Sequence, residues 1–144
     1  MPGNGAELRA VRKANEAFYQ AFESRDVARM DAVWAKGEHV KCVHPGWNIL
    51  CGWDAVRSSW EMIFRNSGEM RFTLSDVRIE VRGALAWVVL TENILSSVEG
   101  DVSATSILAT NLFERQDGRW LMIHHHGSHV LTDRFRADRS STVH

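Results

Sequence analysis

The sequence has little of what marks most specialised chains. Two prolines, Pro2 and Pro45, are spread over 144 residues, so no proline-rich linker or polyproline segment is present. Two cysteines, Cys42 and Cys51, are too few for a disulfide scaffold, and their spacing is not that of a zinc site. They read as two small buried side chains. Charge of one sign is also missing: 17 basic residues meet 18 acidic ones, for a net charge of −1. Without a basic excess nothing draws a phosphate backbone, and nucleic acid is not an expected partner. No stretch approaches the roughly 18 apolar residues of a membrane helix, so no membrane partner is expected. The start, Met1-Pro2-Gly3-Asn4-Gly5, lacks the basic residues and apolar run of a signal peptide. A cytoplasmic location with reduced thiols is the expectation. Phosphate loops, dinucleotide fingerprints, nucleophile elbows and HExxH motifs are absent, and no cofactor is expected.

What the chain does have is ordinary globular composition, 44% hydrophobic and 24% charged. Its length suits one domain, residues 1–144, with a core over about 7–130. A polar tail over 133–144 is expected to fray. Tryptophan is abundant: Trp34, Trp47, Trp53, Trp60, Trp87 and Trp120. Such rings fill cores, and they also wall pockets for small ligands.

Helices come first. Leu8, Val11, Asn15, Phe18 and Phe22 recur at spacings of three and four, which predicts a helix over 7–23. Asn15 is a polar member of that apolar stripe, either at its wet edge or aimed into a polar pocket. Tyr19, the sole tyrosine, lies one step off the seam, as a hydrogen-bond donor or an exposed rim residue. Asp26 is a fitting N-cap for a second helix over 27–35, and Val56, Trp60, Ile63 and Phe64 give a third helix, 54–66, its buried face. Between them Val40 to Val43 reads as a strand, His44-Pro45-Gly46-Trp47 as a turn and Asn48 to Cys51 as the returning strand. A hairpin centred there places Cys42 and Cys51 close to opposite each other, although a reducing cytosol argues against a disulfide.

Strands follow. Val77, Ile79 and Val81 alternate with charged residues, so one face is wet. Leu85 to Ile94 is apolar on both faces, Val102 to Arg115 alternates weakly, and Gln116-Asp117-Gly118-Arg119 is a hairpin signal before Trp120 to Val130. Helices leading into antiparallel strands make an α+β fold. Strands that are apolar on both faces need cover on both sides, and the helices supply one. The other predicts a homodimer through the sheet face.

The densest chemical signal is Met122-Ile123-His124-His125-His126-Gly127-Ser128-His129. Strand alternation puts His124 and His126 on one face with Trp120 and Met122, toward the helices. It puts His125 on the other with Leu121 and Ile123, toward a dimer partner. Three readings stand: neutral hydrogen-bonded imidazoles, a metal shared by His124, His126 and His44, or pocket histidines that bind an organic ligand and move a proton. His44, at a strand end before Pro45, suits a catalytic position or a plain surface turn.

Three segments resemble SnoaL-like proteins of the nuclear transport factor 2-like superfamily. Ser24 to Trp34 resembles their second-helix start, Gly52-Trp53-Asp54-Ala55-Val56-Arg57 the opening of their third helix, and Gln116 to Ser128 their closing strand. The calcium/calmodulin-dependent kinase association domain is similar in the same way. The resemblance spans about residues 7–130. It implies three N-terminal helices packed in a strongly curved, mostly antiparallel sheet, a cone-shaped α+β barrel with a cystatin-like fold, usually dimeric, whose open end binds ligands. It also carries departures. Ketosteroid isomerase has a catalytic aspartate before a proline where this chain has His44. Its helix-one tyrosine falls on Phe18, and Tyr19 is turned about 100° away. Steroid isomerase chemistry is therefore not expected.

The resulting expectation is a domain that binds a small apolar or aromatic molecule. Its catalytic form would be a metal-independent isomerase, cyclase or dehydratase with His44 and His126 as catalytic residues. Asn15, Phe18, Tyr19, Trp34, Trp47, Trp60, His124 and His126 would bind the ligand, and no metal is assigned. The alternative is a non-catalytic association module with a filled cone.

Overall fold

The computed structural model describes residues 2–131; the polar tail lies outside them. Three helices, α1 (Pro2–Ser24), α2 (Val27–Val33) and α3 (Trp53–Asn66), precede or interrupt six strands. These are β1 (Lys41–Val43), β2 (Leu50–Cys51), β3 (Glu69–Arg82), β4 (Leu85–Val98), β5 (Asp101–Gln116) and β6 (Arg119–His129). They form one sheet in the order β2-β1-β6-β5-β4-β3. All neighbours run antiparallel except β1 and β6, where Cys42 pairs with His125. The sheet is curled around the helices but open, with β2 and β3 as its edges.

Local chemistry explains the elements. Asp26 caps α2 by accepting the Ala28 N–H at 2.9 Å, satisfying one of the donors a helix start leaves orphaned. α2 stops at Val33, short of the expected 35. Trp34 turns extended (φ −101°, ψ 146°) and bridges Met122 of β6. That turn carries its fully buried ring into the core. The Pro45-Gly46 turn closes with the Trp47 N–H on the His44 carbonyl at 2.8 Å, and Gly46 takes φ +84°. Proline then a left-handed glycine is the type II pattern. Asp117 and Gly118, both at positive φ, make the β5–β6 turn of type I′ geometry that matches strand twist.

Two bulges reset the side-chain alternation. In β3 the pairing slips between Ser75 and Arg78, where Asp76 has φ +54°. The strand thus begins at Glu69 rather than near 76, with Phe72 and Leu74 inward before the bulge and Val77, Ile79 and Val81 inward after it. In β6, Phe113 pairs with Met122 and Leu112 with His124, leaving Ile123 as the extra residue. An extra residue flips every side chain beyond it to the opposite face.

The core fills the concave side. Val11, Phe18, Met30, Trp34, Val56, Trp60, Phe113 and Met122 are all fully buried. Aromatic rings meet edge-to-face at its centre: Phe18 stands 5.7 Å from Trp60, and Phe22 4.8 Å from it. On the convex side Leu85, Val89, Leu95, Val102 and Leu108 remain exposed. Cys42 is buried but Cys51 is exposed, contrary to the expectation of two buried thiols. The register pairs Cys42 with Leu50 and Cys51 with Lys41, so the two sulfurs sit on opposite faces and both are free. No helix among the described residues is long and apolar enough to cross a membrane.

Candidate functional site

A chain of buried polar side chains runs through the core. Asn15, Tyr19, His44, Ser59, Glu92, Asn111 and His125 are each at most 4% exposed. α1 supplies Asn15 and Tyr19, four residues apart and so stacked on one face. α3 supplies Ser59, β4 Glu92, β5 Asn111, β6 His125, and the end of β1 leads to His44.

The hydrogen bonds fix their own direction. The Asn111 amide donates to Asn15 Oδ1 at 2.9 Å and to the Tyr19 hydroxyl at 3.1 Å. Its Oδ1 meets His125 Nδ1 at 2.6 Å, so the proton on that imidazole sits on Nδ1. Tyr19 in turn donates to the Glu92 carboxylate at 2.5 Å. Every donor from His125 to Asn111 to Tyr19 therefore points toward Glu92. His125 is left with an unprotonated Nε2.

His44 forms a second, separate pair. The Ser59 hydroxyl donates to the Val56 carbonyl at 2.6 Å and stands 2.8 Å from His44 Nε2. With its proton committed, Ser59 accepts from Nε2, and the lone pair of His44 rests on Nδ1. The His44 ring lies 4.7 Å from Trp60 and 6.4 Å from His125. Trp47, 37% exposed, stands edge-on over His44 at 4.9 Å and closes it from outside.

Burial sets the protonation states. It lowers His44 to a pKa of about 4 and holds His125 well below the ordinary imidazole value. Burial lifts the Glu92 carboxyl to about 7, against the opposing pull of the Tyr19 hydrogen bond. It also pushes up the Tyr19 hydroxyl and the Cys42 thiol. At neutral pH the site holds two neutral imidazoles and a carboxyl poised between its two forms. The indole N–H groups of Trp34 and Trp60, fully buried, have no hydrogen-bond acceptor.

The sequence-predicted residues divide. Asn15, Phe18, Tyr19, Trp34, His44 and Trp60 gather in the core, with Trp47 at its edge. Asn15 and Tyr19, each open to two readings in the sequence, both take the buried one. His124 and His126 do not join them. Ile123 flips the strand, so His125 enters the concave side while His124 and His126 pair up on the convex side, 6.2 Å apart. His124 is lowered by burial, then by His126 and Lys41. His44, on the other side of the sheet, cannot share a metal with them, and the described residues contain no group of three or more metal-ligating side chains.

Sequence reasoning passed over Glu92, Asn111 and Ser59, and it placed His125 on the opposite face, toward a dimer partner, where the structure buries it in the core. A signal existed for two of them. Glu92 shares parity with Ala86, Val88 and Leu90, and Asn111 with Ile107, Ala109 and Phe113, so each is the polar member of an inward row. Open clefts lie elsewhere. One of about 540 Å³ sits at the start of α3, lined by Lys36, Trp53 and Asp54 among others. Another of about 620 Å³ lies at the far end of the β4–β5 hairpin, beside Thr73, Asn93 and Ser106.

Known proteins share this fold. A family model described as a SnoaL-like domain matches residues 11–132. A structure of a proposed dehydratase of the NTF2-like family from Streptomyces avermitilis is 36% identical, covers 89% of this chain and 99% of its own, and superposes with a TM-score of 0.84. A proposed calcium/calmodulin-dependent protein kinase type II association domain from Thiobacillus denitrificans is 33% identical over 81% of this chain and 92% of its own, with a TM-score of 0.74. The F-box protein SKIP8 of Arabidopsis thaliana is 30% identical over 139 residues, 96% of this chain. This chain spans 56% of that protein's length. With three helices on a curled, open, mostly antiparallel sheet and a family match over most of its length, the chain belongs to the SnoaL-like domain family of NTF2-like proteins.

Proposed function

We propose that this domain binds a small, mainly apolar or aromatic molecule on the concave side of its sheet. The hydrogen-bonded chain Glu92–Tyr19–Asn111–His125 beside His44 carries this reading. A core built only for stability needs none of these groups, because each must be stripped of water before its hydrogen bonds are re-formed inside. Two neutral imidazoles and a carboxyl with a pKa of about 7 are instead the groups of metal-independent proton-transfer chemistry. Isomerase, cyclase and dehydratase reactions fall in that class, and the NTF2-like protein of Streptomyces avermitilis is described as a proposed dehydratase. His44 is the proposed proton carrier, with Asn15, Phe18, Tyr19, Trp34 and Trp60 around the ligand. Trp47, over His44 and partly exposed, is the side chain that moves to admit it. His126, on the convex side, leaves the proposed catalytic set, and His125 takes its place as the imidazole that faces the ligand.

The test is a thermal-shift screen with polycyclic and aromatic molecules and fatty acids. A ligand at 100 times its dissociation constant adds about 2.7 kcal/mol, a midpoint rise of several degrees. The rise is expected to vanish in His44→Ala. A flat response across the panel removes the small-molecule reading.

A second reading has its own observation. Leu85, Val89, Leu95, Val102 and Leu108 form an exposed apolar face on the convex side, and such patches mark interfaces. Similar chains include a proposed association domain and an F-box protein. We infer a homodimer through this face, in the cytoplasm, where Cys42 and Cys51 stay reduced. Light scattering at micromolar concentration should give twice the mass of one chain, and Leu108→Glu should give a monomer of unchanged fold. A wild-type monomer ends this reading.

A further inference from the structure

The bulge at Ile123 leaves two imidazoles together on the outer face of the sheet. His124 pairs with Leu112 of β5 and Lys41 of β1, and His126 with Thr110 and Val43. Both backbones are therefore held by a strand on either side. The two residues stand at i and i+2 of β6, so their Cα atoms lie about 6.5–7 Å apart with both side chains on one face. Their ring centres are 6.2 Å apart, with the planes tilted by 46°. His126 is exposed and His124 half-buried. Among the described residues the imidazoles of His39, His44 and His125 hydrogen-bond to other side chains; those of His124 and His126 do not.

Two unengaged imidazoles at this spacing can act as a chelate. With an ordinary pKa of about 6.5, both are mostly neutral at pH 7.5, and each then carries a lone pair. An ion held at about 2.0–2.1 Å by a nitrogen of each ring needs ring centres about 5 Å apart. The pair has about 1 Å to close, by rotation of side chains that no hydrogen bond holds in place. The strand already fixes the Cα atoms, so only those torsions must be ordered. Imidazole nitrogen suits zinc, nickel and copper, whereas magnesium and calcium take oxygen. Lys41 is the opposing charge on this face, and its ammonium is directed to the Glu38 and His39 carbonyls at 3.4 and 3.2 Å. Among the described residues no third histidine, cysteine or carboxylate completes the pair, so water fills the remaining positions of the ion.

We propose that His124 and His126 together bind one divalent ion of the zinc, nickel and copper group on the convex face, through one nitrogen of each ring. The site is separate from the small-molecule reading above. It lies across the sheet from His125 and needs neither a cavity nor a ligand there.

The test is calorimetric titration of the full chain with zinc chloride at pH 7.5 in a non-chelating buffer, with magnesium chloride as the oxygen-preferring control. Saturation at about one zinc per chain is expected, and no binding of magnesium. His124→Asn and His126→Asn should each weaken zinc by about tenfold or more, because either one leaves a single protein ligand. Both variants should keep the wild-type urea midpoint, which separates loss of a ligand from loss of the fold. His129→Asn, at an exposed histidine three residues further along, should bind zinc as the wild type does. Cobalt in place of zinc reads the donor atoms: nitrogen and oxygen give weak visible bands alone, and a thiolate adds a strong near-ultraviolet one. Zinc binding that survives both substitutions, that is lost in His129→Asn, or that brings the thiolate band of Cys51 overturns the proposal. So does one zinc per two chains, which places the ion between copies, and so does no binding at all.

Discussion

Replacing Asn111 with alanine is expected to destabilise the fold by about 4 kcal/mol, a large part of the roughly 5–15 kcal/mol by which a domain is stable. Asn111 is fully buried and makes three hydrogen bonds: to Asn15, to Tyr19 and from His125. Alanine removes all three and leaves the Asn15 oxygen and the His125 N–H without partners in a dry core. Each orphan costs about 1–3 kcal/mol. The terms do not add fully, because the members share a network. Asn15→Ala is the internal control, since it removes one bond at the end of the network and should cost about 1–2 kcal/mol. Urea unfolding of the two variants separates them through their midpoints at constant slope. Equal losses would mean that Asn111 is not the hub of the network.

Glu92→Gln should change how stability depends on pH. The carboxyl is raised from its ordinary 4.5 to about 7 in the folded protein. A group raised in this way contributes stability that is fully present below the ordinary value and lost as pH climbs through the folded one. The loss in the wild type from pH 4.5 to 8 is about 3 kcal/mol. Glutamine keeps an oxygen for the Tyr19 hydroxyl and cannot ionise, so the variant should gain on the wild type over that range. Tyr19 and Cys42, the titratable groups that interact with Glu92, are both shifted upward and stay neutral there. His44 works in the other direction. Its pKa falls from 6.5 to about 4, so its contribution is complete above 6.5 and lost as pH falls through 4. Glu92→Gln should therefore keep the acid limb and lose the alkaline one. Urea midpoints at pH 5 and pH 8 decide it. Parallel curves for variant and wild type would show that Glu92 is not a buried, protonated group.

The helices and their order were legible because periodicity is a local property. Val11, Phe18 and Phe22 announced α1, Asp26 announced the start of α2, and Asp117-Gly118 the last hairpin. The curled α+β fold followed from the resemblance carried by three short segments. The faces of β6 were not legible. Strict alternation from Trp120 and Met122 leads to His124 and His126, and nothing in the residue types says that Ile123 is passed over. The bulge exists because Leu112 and Phe113 meet β6 across an irregular step, which is a property of the paired strands. The same kind of slip at Asp76 hid the first half of β3. Tyr19 was ambiguous for a related reason. Its burial depends on Glu92 and Asn111, 73 and 92 residues away in sequence. A helical wheel cannot see such partners.

The parallel pairing of β1 with β6 sets an order of events in making the protein. Beyond their hairpin with β2, Lys41 to Val43 find their other partners only at His124 to His126, so the two parts of the sheet, β1–β2 and β3–β6, join last. On a ribosome the helices and the β3–β4–β5 meander emerge while the short β1–β2 hairpin still has no sheet to join. Long-range pairings of this kind slow folding, because the loop must close before the contact rewards it. Until β6 arrives, β5 offers a bare strand edge, the template on which chains aggregate. His125 comes with that last strand, so the interior site and the protection of the sheet are completed in a single step. A chain cut short before Arg119 would lack both, and would be an object for chaperones and proteases rather than a smaller version of the domain.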